Sequence, residues 1–341
     1  MTPTLPIPPH YSSDRVESVW RVPYEERSAQ ALEWRRRHQI EQAAASSPRV
    51  ALFLVDVQNT FCIPDFELFV GGHSGRGAVE DNQRLCGFIY QNLAGISQIT
   101  MTLDTHQAYQ IFFASFLIGK DGSHPTPYTL VTRNDIREGR WRFNPDIAAT
   151  LGLTPEQGQK HLEYYVAELS NSGRYDLTVW PYHGMLGGIG HALVSAVEEA
   201  VFFHSIARTS PPDHIIKGFH PLTEHYSTLG PEVARDTEGR LFAPRDRKLI
   251  ALVQHYDAVI ITGQAKSHCV AFTIRDLLSE LNTIDPGLAK KIFLLEDCTS
   301  PVVVPGTIDY TEAADEAFES FRAAGMHLVK STDPMETWLR V

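Results

Sequence analysis

The feature that most constrains this chain is Val50–Val57, VALFLVDV, an almost unbroken apolar run closed by an acidic residue. Consecutive Val, Leu and Phe leave no face for water, so the run reads as a strand buried on both sides, the habit of central strands in parallel sheets. The same signature recurs. Ile96–Leu103 (ISQITMTL) runs into Asp104, Asp257–Thr262 (DAVIIT) into Gly263 and Ile292–Leu295 (IFLL) into Glu296-Asp297, and a last short run lies at His327–Val329. Between them, Glu80–Leu93, Gly190–Ala207, Arg245–His255, Cys269–Leu281 and Tyr310–Ala324 read as helices. Strand alternating with helix predicts an α/β fold, a doubly wound and mostly parallel sheet with helices on both faces. Ligands of such sheets bind at the carboxyl ends of the strands. Asp56, Asp104 and the Gly263–Cys269 turn are expected there, which points to one site.

Charge and cysteine usage exclude several classes. Thirty Lys and Arg against 41 Asp and Glu in 341 residues give a net charge of −11. That balance argues against nucleic acid or an anionic membrane as the main partner. No stretch approaches the roughly 18 apolar residues of a membrane span, so a soluble protein is expected. The four cysteines, Cys62, Cys86, Cys269 and Cys298, are too sparse for a disulfide scaffold and wrongly spaced for a thiolate zinc site. The opening MTPTLPIPPHYSSDR lacks the basic start and apolar run of a secretory signal. A cytoplasmic location with free thiols is therefore expected.

Residues 1–48 read as a proline-rich arm followed by a charged helix over Tyr24–Ala45, laid on the surface or on a neighbouring subunit. Residues 49–341 read as the α/β domain, interrupted at about 120–178 by an insertion with a helical piece near Thr154–Ser170. An insertion of that length suits a lid over the site or an oligomer contact.

Cys269 is the leading candidate nucleophile. In TGQAKSHCVAFTIRDLL it follows a strand and opens a predicted helix, where the dipole and free N–H groups favour a thiolate and can hold an oxyanion. The competing reading is a small buried hydrophobe, which is the better one for Cys62, Cys86 and Cys298. A cysteine nucleophile needs a proton acceptor, and Asp56 at the end of the first strand is placed for it, though an aspartate there serves equally as a cap. Lys217, after the short apolar run in DHIIKGFHP, would lower a nearby thiol pKa, yet most lysines are simply solvated. Asp104 and His106 form a D-x-H after a strand and His183 lies in WPYHG; one carboxylate and two imidazoles suit zinc, iron or manganese, but such spacing also arises by chance.

Taken in order, ALFLVDVQNTF, TLDTH, VWPYHGMLGGIGHAL, IIKGFHPLTEHYS, VIITGQAKSHCVAFTIRD and FLLEDCTSPV resemble the isochorismatase-like cysteine hydrolase superfamily, and within it the nicotinamidases. The likeness runs from about Val50 to the C-terminus. It implies a catalytic triad of Asp56, Lys217 and Cys269, with the aspartate taking the thiol proton and the thiolate attacking an amide to form a thioester. It also implies a cis peptide joining Ala265 and Lys266, with the N–H groups of Lys266 and Cys269 facing the oxyanion. A divalent metal on Asp104, His106 and His183 would orient the substrate ring, and no organic cofactor is implied. Where many relatives carry a further histidine this chain has IFFASF, with Phe113 in its place, and the turn reads AKSHC where relatives often have a threonine and an acid. His124 and Trp141 of the insertion are candidates to line the pocket or to lie on the surface. The implied activity is hydrolysis of a small amide, nicotinamide first, in a homo-oligomer. Hydrolysis of another amide, a carbamoyl compound or isochorismate is the alternative, and a catalytically silent relative the reading of a different class.

Overall fold

The structure, a computed structural model, describes residues 4–172, 175–306 and 308–338. Pro3 of the N-terminal arm, residues 173 and 174 of the expected insertion and the last three residues of the α/β domain lie outside them. The chain divides into two compact units, one of residues 1–103, 192–215 and 247–341, the other of residues 104–191 and 216–246.

The first unit holds the sheet apart from the last residues of two strands, Asp104 and Ile216–Lys217. Strands β1 (Val50–Val55), β2 (Ile96–Asp104), β3 (Asp213–Lys217), β4 (Ala258–Gly263), β5 (Ile292–Leu295) and β6 (His327–Val329) line up in the order β6-β5-β4-β1-β2-β3. β1 pairs in parallel with β2 and β4, and β5 in parallel with β4 and β6. Every residue of β1 is buried, as its apolar run requires. The chain moves outward from β1 through β2 to β3 and then from β4 through β5 to β6 on the other side. The switch point therefore lies between β1 and β4, the place where open α/β sheets bind ligands.

The helices form two groups. α1 (Tyr24–Arg37) and α2 (Gly77–Gln91) both pack on α4 (Ser195–Arg208), while α5 (Lys248–His255) and α7 (Thr311–Ala323) pack on α6 (Ala271–Ile284). The α/β, doubly wound, mostly parallel reading thus describes the molecule. The N-terminal helix lies on α4 of the same chain, where Arg27 Nε meets Glu199 Oε1 at 2.8 Å with both side chains buried. It ends at Arg37, earlier than the expected Ala45, because the backbone turns at Gln39 (φ +52°) before a single 3-10 turn at Ala43–Ala45.

The second unit contains α3 (Pro155–Ser172) and two small antiparallel pairs, Leu117–Gly119 with Trp141–Phe143 and Leu130–Val131 with Leu177–Thr178. Its interior is built from buried Phe116, Phe143, Leu162, Tyr165, Val166 and Leu169. The expected 120–178 segment lies wholly within this unit. Among the described residues no helix is long and apolar enough to cross a membrane.

The turn after β4 depends on one glycine. Gly263 has φ +127°, and a Cβ there would sit 2.0 Å from the carbonyl oxygen of Val55, its partner in β1. Only a residue without a side chain allows this approach. Gly263→Ala is expected to cost about 3 kcal/mol or more in urea unfolding. A loss within about 0.5 kcal/mol would show that β1 and β4 separate without penalty.

Candidate active site and metal centre

In the second unit, Asp104, His106, His183 and Lys217 come together around one carboxylate. Asp104 ends β2 and Lys217 ends β3, and the Thr105 N–H donates to the Lys217 carbonyl at 2.9 Å, which fixes the two chain ends beside each other. Asp104 Oδ1 accepts from Lys217 Nζ at 2.8 Å. Asp104 Oδ2 lies 2.8 Å from His106 Nε2 and 3.5 Å from His183 Nε2. All four side chains are buried. Burial alone would raise the Asp104 pKa, but His106 and the Lys217 ammonium, each against one of its oxygens, outweigh it and hold the carboxyl well below its ordinary value. Burial lowers the pKa of His183 and so keeps its ring neutral.

These groups form a metal-binding site for a divalent cation. The ligand atoms of Asp104, His106 and His183 lie within 4.8 Å of one another. His183 Nδ1 donates to the Pro181 carbonyl at 2.8 Å, which leaves the Nε2 lone pair facing Asp104. His106 Nδ1 lies 3.2 Å from the Gly218 carbonyl. A carbonyl on the far ring nitrogen is the usual support of a ligating histidine. Gln110 Nε2 braces this arrangement, 2.7 Å from the Gly218 carbonyl and 3.0 Å from His106 Nδ1. Phe113, the residue in place of a further histidine, is fully buried and its ring centroid is 5.8 Å from His106 and 5.6 Å from His183. It packs against both imidazoles and brings no ligand atom.

A cavity of about 20 Å³ beside the cluster is lined by Asp104, His106 and His183 together with Phe112, Trp180, Glu224, His225 and Tyr226. None of these last five was singled out in the sequence. Trp180 Nε1 donates to Tyr226 Oη at 2.8 Å, and Tyr226 Oη donates to Glu224 Oε1 at 2.8 Å. Tyr165 Oη donates to Glu224 Oε2 at 3.1 Å. Burial, with the nearby charge of Glu232 adding to it, pushes the Glu224 carboxyl up to about 8 against these hydrogen bonds. His124 and Trp141 do not line this cavity: His124 is exposed, and Trp141 borders a separate surface cleft with Lys120 and Arg140.

Asp56 and Cys269 belong to the first unit. Asp56 follows β1 in the left-handed region (φ +47°), a conformation that aspartate tolerates better than most residues. Thr102 Oγ1 accepts from its N–H at 2.9 Å and donates to Oδ1, so backbone and carboxylate are fixed by one hydroxyl. Cys269 lies in a single π-helical turn, Lys266–Val270, that leads into α6 after β4. Both residues thus leave adjacent strands at the switch point. The other three thiols are buried and burial pushes each pKa far up, the condition of inert cysteines.

Two expectations about the turn are corrected. The non-proline cis bond joins Gln264 and Ala265, one residue before the expected place. The strand register explains the shift, since β4 stays paired to β1 through Gly263, and Gln264 N–H still donates to the Val55 carbonyl at 2.8 Å. The chain therefore turns at 264–265. The Lys266 N–H donates to the Ser300 carbonyl at 2.9 Å, so it is not free to face an oxyanion. The Lys266 ammonium lies over the Phe318 ring and pairs with Asp315.

No protein-family model matches the chain, nor does any curated protein. Solved structures do share its fold. The yeast nicotinamidase bound to the inhibitor nicotinaldehyde matches with a TM-score of 0.51 at 20% identity, over 82% of this chain and 99% of that one. A second structure of the yeast nicotinamidase gives 0.50 at 21% identity over the same shares. At these identities the likeness is one of fold.

Two outcomes are expected here. A Cβ on Gly218 (φ +83°) would lie 2.7 Å from His106 Cε1 and 2.8 Å from Asp104 Oδ1. Gly218→Ala should therefore weaken zinc binding at least about tenfold by calorimetric titration, the scale of lost ligand support; unchanged affinity would remove Asp104 and His106 from the site. Glu224 in the folded state keeps a proton that the unfolded chain releases between pH 4.5 and about 8. Its contribution to stability hence falls as pH rises through that window. Glu224→Gln should gain stability relative to the parent between pH 5 and pH 8 in urea unfolding, and a pH-independent difference would place the carboxyl in water.

Proposed function

We propose that this chain is a cysteine amidohydrolase of the isochorismatase-like superfamily that hydrolyses nicotinamide to nicotinate and ammonia through a thioester. The observation that carries this reading is the buried Asp104–His106–His183 cluster on a fold shared with the yeast nicotinamidase. The sequence resemblance around Asp56, Lys217 and Cys269 supports the same conclusion, as does the placement of Asp56 and Cys269 after adjacent strands at the switch point.

In this mechanism Asp56 accepts the Cys269 thiol proton, and the sulfur adds to the amide carbonyl carbon. The N–H groups of Ala265 and Cys269 receive the oxyanion, with Ala265 replacing Lys266 in that role. Asp56 hands the proton to the amide nitrogen, the C–N bond breaks and ammonia leaves. Water then gives a proton to Asp56 and adds to the thioester; the C–S bond breaks, and the sulfur recovers the proton as the acid departs. The Lys217 ammonium favours the charged forms of thiol and carboxyl. A zinc, iron or manganese ion held by Asp104, His106 and His183 would supply a Lewis acid for a lone pair on the substrate ring. The same reading makes the protein a cytoplasmic homo-oligomer acting on a small molecule.

Ammonia release from nicotinamide by the purified protein tests the reading. Cys269→Ala is expected to lower turnover roughly 10³-fold or more, and dialysis against a chelator to weaken it, with recovery on adding metal. Release that survives Cys269→Ala would overturn the thioester route, and no release from nicotinamide would overturn this substrate.

A further inference from the structure

The turn after β4 is held from behind by a second buried carboxylate. Asp81 stands on α2 and is 2% exposed. Its Oδ2 accepts from Gln264 Nε2 at 2.8 Å and its Oδ1 from Arg84 Nη2 at 3.0 Å. Gln264, also buried, is the first residue after β4. Its N–H donates to the Val55 carbonyl, so this one residue is tied to β1 by its backbone and to α2 by its side chain. The other end of its amide, Oε1, accepts from the Ser300 N–H at 3.4 Å, and the Ser300 carbonyl accepts from the Lys266 N–H at 2.9 Å. Ser300 thus holds the chain on both sides of Ala265. A Cβ on Gly77, the first residue of α2, would lie 2.6 Å from Ser300 Oγ, so the helix start and this segment are in direct contact.

From here the constraint passes to Cys269. The Ala265 carbonyl accepts from the N–H groups of His268 and Val270, at 3.0 and 3.2 Å, the two residues that flank the cysteine. With Gln264 and Lys266 both anchored, the direction of that carbonyl is set, and with it the placement of the Lys266–Val270 turn. Every residue of this chain of contacts belongs to the first unit. Burial pushes the Asp81 carboxyl up to about 6 against the hydrogen bond from Gln264, so it is an anion at pH 8.

We propose that Asp81 is a positioning residue for Cys269, acting through Gln264 to hold the Ala265 and Cys269 N–H groups where the reacting carbonyl needs them. The inference rests on the amidase reading. A helix ion pair would need only Arg84, yet the second oxygen of Asp81 is given to the turn. Both neighbours are donors, and only a carboxylate accepts on both of its oxygens; an amide offers one acceptor and one donor. Asp81→Asn therefore turns an NH₂ group toward a donor. Arg84, whose bond is charge-assisted, takes the remaining oxygen, and Gln264 loses its anchor. A misplacement of about 1 Å at a reacting group is enough to cost on the order of 10²-fold in rate.

The full chain is assayed at pH 8 for ammonia release from nicotinamide and for alkylation of Cys269 by iodoacetamide, read by peptide mapping. Asp81→Asn is expected to lower kcat roughly tenfold or more with KM within about twofold of the parent. It should also change the alkylation rate of Cys269 by about threefold or more. Adding Gln264→Glu reverses the polarity of the bond: the new amide donates to the new carboxylate, which still accepts from the Ser300 N–H. The double variant should recover kcat and the alkylation rate to within about threefold of the parent. A merely structural role would lower the urea midpoint of Asp81→Asn and leave kcat of the folded protein unchanged. Where Asp81→Asn does not fold by circular dichroism, Gln264→Met, which keeps the Asp81–Arg84 pair, replaces it with the same expected loss. Parental kcat and alkylation in the folded single variant, or a double variant no better than the single one, would overturn the proposal. A parent that alkylates at Cys269 but releases no ammonia sinks nicotinamide as substrate and leaves alkylation to decide; a parent inert at Cys269 overturns the proposal together with the nucleophile.

Discussion

The second unit is organised by the division of one carboxylate. Asp104 gives one oxygen to Lys217 and the other to His106 and His183. A buried acid in such a setting would ordinarily take up a proton, and the Lys217 ammonium on one oxygen with His106 on the other prevents it. The anion that results does two things at once. It compensates a fully buried ammonium, and it offers a metal ion a charged oxygen between two imidazoles. The absence of a side chain at Gly218 lets His106 approach Asp104, and the Pro181 carbonyl fixes the tautomer of His183.

Three protein ligands and a ring wall define the character of that metal centre. Closed structural zinc sites use four protein ligands, whereas sites that work on exchangeable molecules leave a position open. Phe113 stands against both imidazoles without a donor atom, so it would offer a metal held by Asp104, His106 and His183 no further ligand. The surrounding aromatic side chains also lower the local polarity, which strengthens charge–dipole attraction to anything bound there.

Much of this was legible in the sequence. The apolar runs predicted β1, β2, β4, β5 and β6 to within two residues at either end, because strands buried on both faces have no polar positions to blur the pattern. The D-x-H after β2 and the histidine of WPYHG were legible as ligands only through the family resemblance, since their spacing alone also arises by chance. Glu224, His225 and Tyr226 were not. They sit in HPLTEHYST, an irregular stretch with no periodicity, and their burial comes from Tyr165 and Trp180, 44 to 61 residues away in the chain. The one-residue displacement of the cis bond has a similar origin. It follows from the pairing of Gly263 with Val55, a contact between strands that local sequence does not encode.

The ion pair between Arg27 and Glu199 changes how the N-terminal segment should be regarded. Glu199 is 2% exposed, and its counter-charge is supplied from α1. A protease cut that released the first helix would strand that carboxylate in an apolar layer, a penalty on the order of 3–5 kcal/mol. Trp20 ties the same stretch to α4 through two hydrogen bonds with Ser195. For protein engineering the consequence is practical: a fusion tag can be joined ahead of this segment, but a truncation that begins the chain at β1 removes part of the hydrophobic core.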